Sequence, residues 1–184
     1  MGSPAMRVLF LSVFLGLAAC GSQDSDVAPA AKNLERVEVI VNATVPVKKP
    51  SLSPEANGKK FYKKCIACHL ADGAGVPGAF PPLNSGVDIL ASTEAGRTYL
   101  VLVIYNGLRG TLETESGIYN SVMVRQAGGK SPADIADVLN HMLGSFYPEN
   151  KLKVFSADEV SNINETYGRI GGDKVLVLRP KVSE

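Results

Sequence analysis

Apolar positions recur with helical spacing in four stretches of this chain. After Ser53-Pro54, which reads as an N-cap followed by proline in the first helical turn, Gly58, Phe61, Tyr62 and Cys65 share one helical face. A run through Tyr99-Leu100-Val101-Leu102-Val103-Ile104 predicts a second helix over about 93–105. Ser131-Pro132-Ala133-Asp134 opens a third with a capping-box acid; its core stripe is Ile135, Val138, Leu139 and Met142, and it should end near Gly144 or Phe146. A fourth starts at Ser156, where Glu159 would complete another capping box, with Val160, Ile163 and Tyr167 as its stripe. Glycines and prolines predict loop over 71–92, and a second loop should run from Asn106 to Lys130.

Two segments carry a different rhythm. Val37, Val39, Val41, Ala43, Val45 and Val47 alternate with mostly polar residues, the pattern of a half-buried strand, and Pro46 limits it to an edge. A second apolar run, Val175-Leu176-Val177-Leu178, lies near the C-terminus, and the two are expected to pair as a small sheet of extended tails. Ahead of them, Arg7 precedes an apolar run from Val8 to Ala19, too short for a bilayer core of about 20 residues. It reads as an export signal. Leu17-Ala18-Ala19-Cys20 resembles a bacterial lipobox, which implies cleavage before Cys20 and acyl chains on it, two or more of which anchor stably in a membrane. An ordinary cleaved signal with an incidental cysteine is the alternative. The domain plan is therefore 1–19 signal peptide, 20–52 lipid-anchored tether, 53–147 helical domain, and 148–184 C-terminal helix with extended tail. A flexible tether of that length averages roughly 30 Å end to end.

Composition narrows the function. The 184 residues carry a formal net charge of +1, so nothing in the balance points to nucleic acid. Three cysteines do not make a disulfide-stapled fold. Cys65-Ile66-Ala67-Cys68-His69 is C-x-x-C-H, the attachment signal for c-type haem: two thiols add to two vinyl groups, and the adjacent histidine reaches the iron. A redox dithiol would want a parallel-sheet context that the flanks lack. A zinc site would need Cys65, Cys68, His69 and His141 together, at a spacing unlike common fingers. For the sixth iron ligand, Met142 belongs to a core stripe and His141 flanks it as a packing residue, which leaves Met123, within the apolar run Val122-Met123-Val124. Thioether ligation and burial would raise the reduction potential. With both axial positions filled, the expectation is a protein without a catalytic site of its own.

Residues 53–147 resemble a class I cytochrome c domain. The likeness rests on the run from Cys65 through Gly73, Gly75, Pro81, Pro82 and Leu83, on Asn106-Gly107-Leu108-Arg109-Gly110, and on Asp134 to His141. It is similar to the haem segment of monohaem cytochromes and of cytochrome subunits of bacterial membrane-bound alcohol dehydrogenases. The resemblance implies an all-α bundle around one covalent haem with crossing N- and C-terminal helices. It also implies that Pro81 or Pro82 offers its carbonyl to His69 Nδ1, and that Leu83 packs on the haem. The family usually has proline after the distal methionine, and here Val124 stands there, which implies a looser loop. Arg97 and Arg109 are candidates to neutralise haem propionates, each weighed against a plain surface role. The expected function is single-electron transfer on the periplasmic side of a bacterial membrane, with a dehydrogenase or terminal oxidase as partner. A fixed subunit of such a complex is the alternative, and a haem-based sensor a third reading.

Overall fold

A computed structural model describes residues 52–181. Cys20 and the alternating segment Val37 to Val47 lie outside the described residues.

Helix α1 (Pro54–Tyr62) starts where the Ser53 hydroxyl accepts from the Ala56 N–H at 3.3 Å. Helix α5 (Pro132–Phe146) starts at a complete capping box between Ser131 and Asp134. The two helices cross at Gly58, where a Cβ would collide with the Asp137 carbonyl and lie 2.8 Å from His141 Cβ. Glycine is required there because the backbones touch. Asn57 Nδ2 clasps the crossing by donating to both Asp134 and Asp137 at 2.8 Å. Ile135, Val138 and Leu139 of α5 are fully buried, as the stripe predicted.

Between these helices lie α3 (Val87–Ala91) and α4 (Glu94–Asn106). Thr93 caps α4 by accepting from Gly96 N–H at 3.0 Å. Helix α4 is apolar over most of its circumference, with Leu100, Val101, Leu102 and Ile104 buried, which marks it as the central element. Both predicted loops hold regular structure: α3 lies in the first, and a hairpin lies in the second. Its strands β1 (Leu112–Thr114) and β2 (Gly117–Tyr119) pair antiparallel, Leu112 with Tyr119, Glu113 with Ile118, Thr114 with Gly117.

Helix α6 (Ala157–Tyr167) begins at Ser156, whose hydroxyl accepts from Glu159 N–H at 3.1 Å. The expected return bond from Glu159 is replaced by an ion pair: its carboxylate accepts from Arg97 Nε at 2.6 Å and Nη2 at 2.8 Å. Arg97 is buried, also donates to the carbonyls of Ala91, Lys153 and Val154, and stacks on Phe155 at 3.7 Å. It is therefore neither a surface arginine nor free for a propionate. It locks the start of α4 to the entry of α6.

The C-terminal run corrects the sequence reading. Val175-Leu176-Val177 is not a strand or an extended tail but part of α7 (Gly172–Val177), with Leu178 as its C-cap. A run of four apolar residues has no period that separates strand from helix. Packing decides it: Val175 is fully buried, Val177 is 84% exposed, and Gly172 sits where a Cβ would be 3.0 Å from Arg109 N. Asn106, at the end of α4, holds the approach to α7 by accepting from Ile170 N–H at 3.2 Å. No helix among the described residues is long and apolar enough to cross a membrane.

Candidate functional site

The chain turns sharply after α1, and α2 (Ile66–His69) is a single helical turn in which His69 N–H donates to the Cys65 carbonyl at 2.8 Å. One turn places residues i, i+3 and i+4 on one side. Cys65, Cys68 and His69 accordingly line the same cavity. Leu70 leaves this turn at φ +64°, a conformation strained for a branched side chain. Its carbonyl accepts from the Tyr62 hydroxyl at 2.9 Å, which anchors the exit to α1.

The following loop returns to His69. Gly75 N–H donates to the His69 carbonyl at 3.1 Å, and Val76 and Phe80 exchange two backbone bonds at 2.8 Å. Gly75 has φ +65°, and a Cβ there would sit 2.7 Å from the Pro81 carbonyl carbon. This tight return brings the Pro81 oxygen to 2.8 Å from His69 Nδ1. A proline carbonyl can only accept, so Nδ1 carries the proton and Nε2 keeps its lone pair for a metal. Burial lowers the His69 pKa, with the Pro81 bond opposing in part, and the neutral imidazole is the form that ligates. Pro82 and Leu83, half-buried, also line the cavity, and the Leu83 carbonyl accepts from the Tyr147 hydroxyl at 3.0 Å.

Met123 reaches the cavity from a segment far along the chain. Its N–H donates to the Leu108 carbonyl at 3.0 Å and its carbonyl accepts from Leu108 N–H at 2.9 Å. Gln126 N–H adds a bond to Ile104 at 3.0 Å, and Arg125 Nε one to the Tyr105 carbonyl at 2.8 Å. The segment is thus laced to the end of α4 on both sides of Val124, so the missing proline does not leave it loose. Gly107, at φ +77°, makes room, since a Cβ would strike the Met123 carbonyl. Side chains alternate in an extended segment: Met123 is half-buried, while Val122 and Val124 are 53% and 66% exposed. Of the apolar run Val122-Met123-Val124, the middle residue alone turns inward.

The rest of the wall is apolar, with Leu90, Leu100, Val103, Ile104 and Leu139 from α3, α4 and α5. Met142 joins them from the core stripe of α5. His141 does not line this cavity; its ring tilts against Tyr62 at 5.6 Å, and Nδ1 lies 3.3 Å from the Ser145 hydroxyl. Arg109 is exposed and absent from the lining. Sequence reasoning missed Tyr99, Tyr119 and Arg179, which all reach the cavity. Tyr99 looked like one more apolar residue in a helical run, and nothing local to Arg179 marks it.

The competing chemistries fit poorly. No group of three His, Cys, Asp or Glu among the described residues could hold a metal on its own, which leaves zinc without a ligand set. Burial, with the Cys68 charge adding to it, pushes the Cys65 thiol up to about 11, the opposite of an activated dithiol. Two thiols, a neutral imidazole and an apolar wall do fit a covalent haem. The family model for cytochrome c matches residues 55–145. Cytochrome c-552 of Thermus thermophilus is 38% identical over 131 residues, covering 70% of this chain and 98% of that protein. The chain belongs to the cytochrome c family. A second cytochrome c-552, from a particular strain of the same organism, is 38% identical over 131 residues, 86% of its length. As a class I monohaem cytochrome c, the chain carries haem c bound covalently via its C-x-x-C-H motif, Cys65 to His69, and it is a haem-based electron carrier.

Proposed function

We propose that this cytochrome moves single electrons with its iron held between His69 Nε2 and the Met123 thioether, in a respiratory or periplasmic chain. What supports the reading is that one apolar cavity is lined by His69 and Met123 from two unrelated segments. The haem supplies the one-electron couple. The protein's part would be to hold the imidazole in one tautomer through Pro81, to pack Pro82 and Leu83 against the haem, and to offer the iron both the imidazole and the thioether. Little then needs to move when the charge changes, which suits electron transfer better than substrate turnover. The two backbone bonds of Met123 favour this over a sensor, in which the thioether must leave readily.

Docking on a protein partner, such as a dehydrogenase or terminal oxidase, is favoured by exposed Val122 and Val124 at the mouth of the cavity. The lipobox-like sequence ending at Cys20 supports anchoring on the outer face of a bacterial membrane. A potentiometric titration of the haem-loaded protein tests the central reading. It should show one reversible one-electron step at positive potential, and the reduced protein should not bind carbon monoxide at neutral pH. Ready carbon monoxide binding would replace the carrier by a sensor. Cys20→Ser should release the protein from membranes; unchanged membrane association would refute the lipid anchor.

A further inference from the structure

Haem has two chemically unlike edges. The vinyl edge is bonded by Cys65 and Cys68; the opposite edge bears two propionate carboxylates. A carboxylate drawn into a wall of this kind needs a charged or hydrogen-bonding partner. Neither arginine suggested by the sequence supplies it, since Arg97 is engaged by Glu159 and three carbonyls and Arg109 does not reach the cavity.

Among the described residues, the cationic side chains lining the cavity are Lys64 and Arg179. Lys64 immediately precedes Cys65, and its Nζ lies 5.7 Å from the centre of the Phe61 ring. It belongs with the vinyl edge. Arg179 comes from the far end of the chain, beyond the residues that the family model matches. It is half-buried, and the helix before it is firmly seated. Val175 is fully buried, a Cβ on Gly110 would lie 2.8 Å from Leu176 Cδ2, and a Cβ on Gly172 would lie 3.0 Å from the Leu108 carbonyl carbon. The Arg179 N–H itself donates to the Leu176 carbonyl at 3.1 Å. Tyr99, 4% exposed, lines the same cavity. Burial carries its hydroxyl to about 12, with Arg179 close enough to oppose the shift, so it stays a proton donor.

We infer that the Arg179 guanidinium and the Tyr99 hydroxyl together hold one haem propionate, so that the C-terminal segment through α7 is part of the haem site. This rests on the covalent haem and not on the identity of the sixth ligand.

The test is the reduction potential of the full-length, haem-loaded protein between about pH 5 and pH 8. Arg179→Gln removes a positive charge that disfavours ferric iron, so the potential should fall. It should fall further at pH 8 than at pH 5, because the propionate, no longer paired, now titrates within the window. Arg179→Lys should restore most of the potential. Lys174→Gln, at an exposed position of α7, makes the same charge change and should shift the curve far less. The other ionisable groups on the wall, Lys64, His69 and Tyr119, are common to all variants, so a difference between variants reports Arg179. Arg179→Gln tracking Lys174→Gln at every pH would overturn the assignment. Should Arg179→Gln fail to hold haem, Tyr99→Phe decides: a changed pH profile supports the pairing, and an unchanged one refutes it. The ferric sulfur-to-iron band, read in each variant, shows separately whether the methionine ligand is intact.

Discussion

The segment bearing Cys65, Cys68 and His69 and the segment bearing Met123 reach one cavity by different means. The first is local. A single helical turn aligns three side chains, and a glycine-dependent return brings the Pro81 carbonyl to 2.8 Å from the imidazole. The second is held by tertiary pairing. Met123 exchanges two bonds with Leu108, at the end of a helix that begins near Arg97. A ligand next to its covalent anchors needs little else to position it. Met123, with no covalent tie beside it, depends on the frame around it for its place in the cavity.

The largest separation of the two walls should come from removing the chemistry of each. Met123→Ala should leave haem bound and its imidazole in place, but abolish the sulfur ligand and lower the potential. Cys65→Ser with Cys68→Ser should lose the covalent haem altogether, as read by a denaturing gel stained for haem. The glycines give a finer cut. Gly107→Ala and Gly75→Ala each place a Cβ at positive φ, costing about 1–2 kcal/mol before the collision with a carbonyl is added. Denaturant titration should show both losses. The spectra should differ, Gly107→Ala weakening the methionine signature and Gly75→Ala disturbing the histidine side.

Acid should act on both walls alike, because it attacks their common frame. Hydrogen bonds from Arg97 hold the Glu159 carboxyl below its ordinary value of 4.5. The stability from this pair is present above that ordinary value and is lost as pH falls below it, through the depressed one. The melting temperature should therefore drop in that range, and less steeply in Glu159→Gln. The smallest effect concerns the departure from the family pattern. Met123 is already in the extended pairing that suits a residue before proline. Val124→Pro should thus be tolerated and stabilise by about 0.5 kcal/mol. A large loss there would mean that the distal wall is shaped differently from the one described.

What could be read from the sequence follows the same division. Elements that start at a side-chain cap, α1 at Ser53, α4 at Thr93, α5 at Ser131 and α6 at Ser156, were legible, and the crossing of α1 and α5 was implied by the family resemblance. Of the missed helices, α3 and α7 start from glycine and the single turn α2 from Cys65, none with a side-chain cap, so nothing in their first turn announces them. The hairpin strands have three residues each, too short to show alternation. The C-x-x-C-H site is legible because its chemistry is contiguous. Arg97, Glu159, Tyr99 and Arg179 were not, since each takes its role from a partner more than fifty residues away, or from a cavity that only the fold creates.

The most direct test of the account is the long-wavelength absorption and magnetic circular dichroism of the ferric protein, in wild type, Met123→Ala and Met142→Leu. Both methionines line the cavity, so the pair separates ligand from wall. The sulfur-to-iron band should appear in wild type and Met142→Leu and be completely absent in Met123→Ala. A band that survives in Met123→Ala, or that is missing from the wild type at neutral pH, would contradict it.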